Sequence, residues 1–222
     1  MLDFFNVNST FFEILGYKMS YLEFWGTVLN IIAVWLATKE NILSWPIGMI
    51  SVFLYFFLFY QSQLFPDMSL QVFFFITNGI GWWLWLNPKI GDENLKKQLK
   101  ITRIANSKLL IIIVLGIIGT ATMGYSAANL NRWLPTFFSV PSAFPYLDSF
   151  TTVLSVLTTF LMIKKKVECW WLWLVIDLVS TYIYWQKGLK FVGIIYFVYC
   201  FIALYGAVNW TKEYKLSLKS VN

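Results

Sequence analysis

Seven nearly uncharged stretches, over residues 22–38, 43–60, 68–86, 108–128, 148–164, 168–186 and 190–210, limit what this chain can fold into. An α-helix needs about 20 mostly apolar residues to cross a bilayer core about 30 Å thick, and inside the lipid it must satisfy its own backbone polar groups. The charges sit between these stretches, in clusters such as Lys96-Lys97-Gln98-Leu99-Lys100 and Lys164-Lys165-Lys166. Only 13% of residues are charged and 59% are hydrophobic, whereas an average soluble domain is roughly 25% charged. The sequence therefore reads as an all-α polytopic membrane protein with seven transmembrane helices. Gln61-Ser62-Gln63-Leu64-Phe65-Pro66-Asp67 alone separates the second span from the third, and Lys187-Gly188-Leu189 the sixth from the seventh. Each pair is expected to be a tight antiparallel hairpin.

Lys39, the loop over 89–108, Lys164 to Lys166 and the C-terminal tail fall on one side of this topology and hold about three quarters of the Lys and Arg, the signature of a cytoplasmic face. Seven spans then place the N-terminus outside and the C-terminus in the cytoplasm. The net charge of +6 belongs to these loops rather than to a basic face, so no nucleic-acid binding is expected. Residues 1–20 lack a basic region ahead of their broken apolar run and carry Asp3 and Glu13, which points to an interfacial amphipathic helix rather than a signal peptide.

The chain contains no histidine, and Cys169 and Cys200 lie in or beside spans without metal-ligand spacing. There is no G-x-S-x-G, H-E-x-x-H or P-loop motif. The expectation is a protein that is not an enzyme and uses no metal or cofactor.

Displacing the chain against itself by 125 residues, without a gap, superposes Thr27-Val28-Leu29 on Thr152-Val153-Leu154, Leu36 on Leu161 and Lys39 on Lys164. The same offset matches Trp45 with Trp170, Gln61 with Gln186, Leu64 with Leu189, Gly81 with Gly206 and Trp85 with Trp210. Each unit holds three spans, an odd number, so the intervening span restores the second unit to the orientation of the first. The expected plan is two parallel three-helix repeats joined by a linker helix, 3+1+3. It divides into an N-terminal interfacial segment (1–20), a first repeat (21–88), a basic cytoplasmic loop with the linker helix (89–128), an outer loop (129–146), a second repeat (147–211) and a cytoplasmic tail (212–222). Transporters built from parallel repeats hold substrate near the midplane on the axis relating them.

Polar and aromatic residues inside the spans mark the candidate site. Gln71, Phe74, Asn78, Trp82 and Trp85 recur at spacings of three and four along the third span and so share one helical face. Trp170, Trp173, Asp177, Ser180 and Tyr184 do the same along the sixth. For Trp45, Trp85, Trp170 and Trp210, close to span ends, an interfacial belt competes with pocket lining. For Gln71 and Asn78, interhelical hydrogen bonding competes with ligand contact. A mid-membrane carboxylate costs about 2.5–3.5 kcal/mol on insertion scales, and no Lys or Arg lies at span centres to pair with Asp177, leaving it hydrated, protonated, or held by groups such as Ser180, Thr181 and Asn78. Glycines within the spans, Gly26, Gly48, Gly79, Gly81, Gly193 and Gly206, are read mainly as packing positions. Aromatic faces with one carboxylate and several amides suit a flat, hydroxylated solute, and a cationic ring best. The substrate-contact candidates are Gln71, Phe74, Asn78, Trp82, Trp173, Asp177, Ser180 and Tyr184.

Leu70-Gln71-Val72-Phe73-Phe74-Phe75, followed by Asn78-x-x-Gly81-Trp82-x-x-Trp85, resembles the PnuC family of nicotinamide riboside transporters. So do Ala143-Phe144-Pro145-x-x-Asp148-Ser149, Trp170-x-x-Trp173 and Phe201-Ile202-Ala203-Leu204, and the likeness spans nearly the whole chain. The resemblance implies a fold like that of the SWEET sugar transporters, in a bacterial inner membrane. It also implies passage of nicotinamide riboside down its gradient, with a cytoplasmic riboside kinase trapping the product. Under it, Trp82 and Trp173 stack on rings, while Gln71, Asn78 and Asp177 take ribose hydroxyls or the carboxamide. A proton- or sodium-coupled carrier of another nucleoside or sugar, and a ligand-sensing membrane subunit without transport, remain as alternatives. Beyond membrane lipid and substrate, the sequence leaves open whether copies associate as a homo-oligomer.

Overall fold

The computed structural model describes residues 2–14, 16–62, 65–94, 97–134, 136 and 143–219. Among these, seven long helices carry the fold: α1 (Tyr21–Thr38), α2 (Ser44–Gln61), α3 (Phe65–Leu86), α4 (Asn106–Trp133), α5 (Pro145–Ile163), α6 (Glu168–Gln186) and α7 (Lys190–Lys219). Five of them, α1, α2, α4, α5 and α7, are long and apolar enough to cross a membrane. α3 and α6 fall below that measure because they are the helices richest in Trp, joined by Gln71 and Asn78 in α3 and by Glu168 and Asp177 in α6. Two helices extend past their expected ends, α4 to Trp133 and α7 to Lys219. Of the outer loop expected over 129–146, residues 129–133 belong to α4 and 145–146 to α5, while 135 and 137–142 lie outside the described residues.

The N-terminal segment corrects one expectation. After a short 3-10 turn (Leu2–Phe5), β1 (Thr10–Ile14) and β2 (Tyr17–Ser20) pair antiparallel, with Phe12 opposite Met19 and Glu13 opposite Lys18. A hairpin replaces the amphipathic helix because Thr-Phe-Phe-Glu-Ile is a β-branched and aromatic run, and Gly16, at φ +80°, reverses the chain where a side chain would be strained. β2 leads directly into α1, where the Ser20 hydroxyl accepts the Glu23 amide at 3.2 Å as an N-cap.

The helices cluster into two compact units, Met1–Ile101 and Thr102–Asn222. In the first, α2 packs on both α1 and α3. In the second, α6 packs on both α5 and α7, and α4 lies along α5. Gly119 and Gly124 set that last approach, since a Cβ there would lie 2.9 Å from Val153 and 2.4 Å from Tyr146. The segment before α4 is tied to the α5–α6 turn: Thr102 exchanges backbone hydrogen bonds with Lys165 and Val167, and Glu168 pairs with Arg103 at 3.1 Å while accepting the Ile104 amide.

Local geometry recurs at the sequence offset. Glu40 and Lys165, 125 residues apart, both adopt left-handed backbone, at φ 54° and 45°. In each turn a longer hydrogen bond, Asn41 N–H to Leu36 O or Lys166 N–H to Leu161 O, encloses a shorter one, Glu40 to Ala37 or Lys165 to Met162. That is the Schellman closure of α1 and of α5. α2 and α6 likewise end at matching residues, Gln61 and Gln186, and α3 and α7 begin at Phe65 and Lys190.

Trp45, Trp85, Trp170 and Trp210 are buried, which removes the interfacial belt as their role. Trp45 meets Trp85 edge to face at 5.1 Å, and Trp170 meets Trp210 in the same way at 5.5 Å. The room comes from glycine: a Cβ on Gly81 would lie 2.3 Å from Trp45 Cη2, and one on Gly206 2.5 Å from Trp170 Cδ2. The first indole contact thus locks α2 to α3, and the second locks α6 to α7.

Candidate functional site

In the first unit, the α3 stripe divides between packing and exposure. Gln71 and Phe74 are half-buried. The Asn78 amide donates to Phe74 O at 2.7 Å, and its Oδ1 lies 2.7 Å from where a Gly48 Cβ would stand. Asn78 therefore turns toward α2, filling the space that a glycine leaves. One turn on, Trp82 is 38% exposed, in contrast to the buried Trp85.

In the second unit, the α6 stripe is more unusual. Asp177 is 6% exposed, and among the described residues no group hydrogen-bonds or ion-pairs with its carboxylate. The Thr181 hydroxyl, one of the groups named as able to hold the carboxyl, donates at 2.7 Å to the Asp177 backbone carbonyl. One turn earlier, the Trp173 indole N–H is also buried without an acceptor. Ser180 is buried, and Tyr184 stacks flat on Tyr196 of α7, 5.2 Å between centroids and 8° between planes, with Lys187 Nζ 5.8 Å from its ring. An unmet buried donor or acceptor costs about 1–3 kcal/mol. The Trp45 and Trp170 indole N–H groups are buried without an acceptor in the same way, so what sets α6 apart is the low exposure of the Asp177 carboxyl one turn from such an indole.

The repeat offset explains why α6 carries this pair. The counterparts of Trp173, Asp177 and Ala203 are Gly48, Val52 and Asn78. At these positions α2 has glycine and α3 an amide, whereas α6 has an indole and α7 alanine. Bulk and polarity are exchanged between equivalent helices.

Helical patterning of the α3 and α6 stripes misses a polar network in the first unit. The Thr27 and Tyr55 hydroxyls share a hydrogen bond at 2.7 Å, the Ser51 hydroxyl donates to Gly26 O at 2.8 Å, and the Tyr17 hydroxyl donates to Glu23. Burial and the Glu23 carboxylate together push the Tyr17 phenol well above its ordinary pKa. A signal for this network exists in the sequence, since Glu23 with Thr27 and Ser51 with Tyr55 are polar pairs four apart in otherwise apolar helices. An apolar groove of about 490 Å³ along α4, α5 and α6 includes none of the candidate residues.

The profile of the nicotinamide mononucleotide transporter family matches residues 20–212. The chain belongs to this family. The nicotinamide riboside transporter PnuC of Escherichia coli K12 is 32% identical, with 94% of each chain covered. The riboflavin/roseoflavin transporter RibM of Streptomyces davaonensis is 23% identical over 92% of this chain and 91% of its own. A crystal structure of the vitamin B3 transporter PnuC superposes with a TM-score of 0.64 at 25% identity, covering 88% of this chain and 82% of that one. Family membership makes this chain a multi-pass membrane transporter of the nicotinamide riboside type rather than an enzyme.

Proposed function

We propose that this protein passes nicotinamide riboside across a bacterial inner membrane by facilitated diffusion, with Trp82 and Trp173 stacking on the ligand and Asp177 facing its cationic ring. The observation that carries the reading is the low exposure of Asp177, whose carboxyl has no hydrogen-bond or ion-pair partner among the described residues, one helical turn from the Trp173 N–H, which is buried without an acceptor. A pyridinium ring supplies the missing counter-charge and is attracted to aromatic faces, while ribose hydroxyls and the carboxamide suit Gln71, Asn78 and Ser180. Phe74 and Tyr184 complete the lining. The relatives' names include both a mononucleotide and a riboside. The residues favour the riboside, because a phosphate brings about −1.5 to −2 charges at neutral pH and none of the eight candidates is basic.

The matching helix ends and Schellman turns support two three-helix repeats in sequence, α1–α3 and α5–α7, with α4 as the linker. The lysine-rich loops support a cytoplasmic C-terminus and an outer N-terminus. With no resident energy source in this reading, phosphorylation by a cytoplasmic kinase keeps the gradient inward.

Calorimetric titration of the purified protein with nicotinamide riboside, nicotinamide and the mononucleotide, followed by flux into vesicles with and without an uncoupler, tests the proposal. Selective riboside binding and uncoupler-insensitive flux are expected. Flux that collapses with the uncoupler favours the ion-coupled alternative, and binding without flux favours a sensing subunit.

A further inference from the structure

A second groove, of about 510 Å³, lies in the second unit where the start of α6 meets the end of α7. Its floor is apolar, built from Trp171, Ala207, Val208 and Leu216, and its end is strongly cationic. Lys212, Lys215 and Lys219 follow Val208 at spacings of four, three and four, which places all four residues on one face of α7. From Val208 to Lys219 the helix rises about 16 Å.

Three features distinguish this groove from an ordinary solvated helix end. None of the three lysines pairs with a carboxylate among the described residues, and no acidic side chain lines the groove. The large apolar groups Trp171 and Leu216 are exposed beside them. The position is also interfacial, because the apolar part of α7, residues 190–210, uses up the length that a bilayer core accommodates. The lysines therefore begin where hydrocarbon gives way to headgroups, and Trp171 sits at the level favoured by indole rings.

We propose that this groove holds one anionic phospholipid, with an acyl chain along Trp171, Ala207 and Val208 and its phosphate held by Lys212 and Lys215, with Lys219 adding charge. Charge complementarity selects the occupant: a zwitterionic lipid offers the same chain but no net charge for three unpaired lysines. Basic pockets between helices at the membrane surface bind acidic headgroups in this way.

The test is native mass spectrometry of the full-length protein in detergent, titrated with phosphatidylglycerol or phosphatidylcholine of matched chains. Wild type is expected to retain phosphatidylglycerol about tenfold better. The Lys212→Ala/Lys215→Ala/Lys219→Ala variant is expected to lose that preference and retain both lipids alike. A control triple, Lys89→Ala/Lys97→Ala/Lys108→Ala, removes the same charge elsewhere on the chain and is expected to keep it. Equal loss in both triples would reduce the effect to net charge and overturn the proposal, as would an unchanged preference in the first. Displacement of the lipid by millimolar glycerol phosphate would overturn it too, since the groove would then be reading a free phosphate. Both triples change exposed lysines, and a matched melting temperature confirms that each is folded.

Discussion

Replacing Gly206 with alanine tests the indole lock directly. The new Cβ would lie 2.5 Å from Trp170 Cδ2 and 2.7 Å from Cε2 and Cε3, where carbon atoms normally rest about 3.5–4.0 Å apart. The ring must retreat by about 1 Å, yet Trp170 is buried and held edge to face by Trp210, so the strain passes into the α6–α7 contact. Overpacking of this kind costs about 1–3 kcal/mol, which for a chain of this size lowers the melting temperature by roughly 2–12 °C. Gly81→Ala meets Trp45 in the same way and is expected to behave alike. Gly79→Ala, two residues away on α3 and with nothing within 4 Å of its Cβ, is expected to be neutral or to gain up to about 1 kcal/mol from helix propensity. Thermal unfolding in detergent, followed by tryptophan fluorescence and by loss of the monodisperse peak, measures all three. A Gly206→Ala transition matching that of Gly79→Ala would refute the lock. Recovery of Gly206→Ala by a second change, Trp170→Phe, would place the strain at that contact.

Exchanging Asp177 for Asn is expected to weaken binding of the cationic riboside at least tenfold while leaving a neutral isosteric nucleoside within about threefold, as read by calorimetry; a tenfold step corresponds to about 1.4 kcal/mol. Equal loss for both ligands removes the charge argument. Trp173→Ala should abolish riboside binding and quench the fluorescence response to it. Tyr55→Phe removes the hydrogen bond to Thr27 and is expected to cost about 0.5–1.5 kcal/mol of stability without changing riboside selectivity, checked by melting temperature and titration together. The raised Tyr17 pKa gives stability that is full below the ordinary tyrosine pKa of about 10 and is lost as pH rises above it toward the folded-state value. The alkaline stability loss should therefore shrink in Tyr17→Phe, and an unchanged alkaline profile refutes the coupling.

Sequence alone determined the features that composition and periodicity carry. Seven apolar runs, the 125-residue offset and the breaks between spans are written in residue type, because the bilayer's demand for about 20 apolar residues acts on each segment separately. The α6 stripe was legible for the same reason, since helical spacing puts Trp173, Asp177 and Ser180 on one face whatever packs against them. Tertiary structure decided the rest. An indole near a span end looks the same in sequence whether it faces headgroups or a glycine, and only the approach of α3 and α7 to α2 and α6 shows Trp45 and Trp170 to be locks. Asn78 fills the space above Gly48 because those helices touch there, while Asp177 lacks the Thr181 hydroxyl as a partner because that group is spent on a backbone carbonyl. The N-terminal hairpin also depended on a chain reversal at Gly16 that amphipathic patterning does not detect. Residue type fixes what a side chain can do, whereas its partner is set by which helices meet, a property of the packed fold.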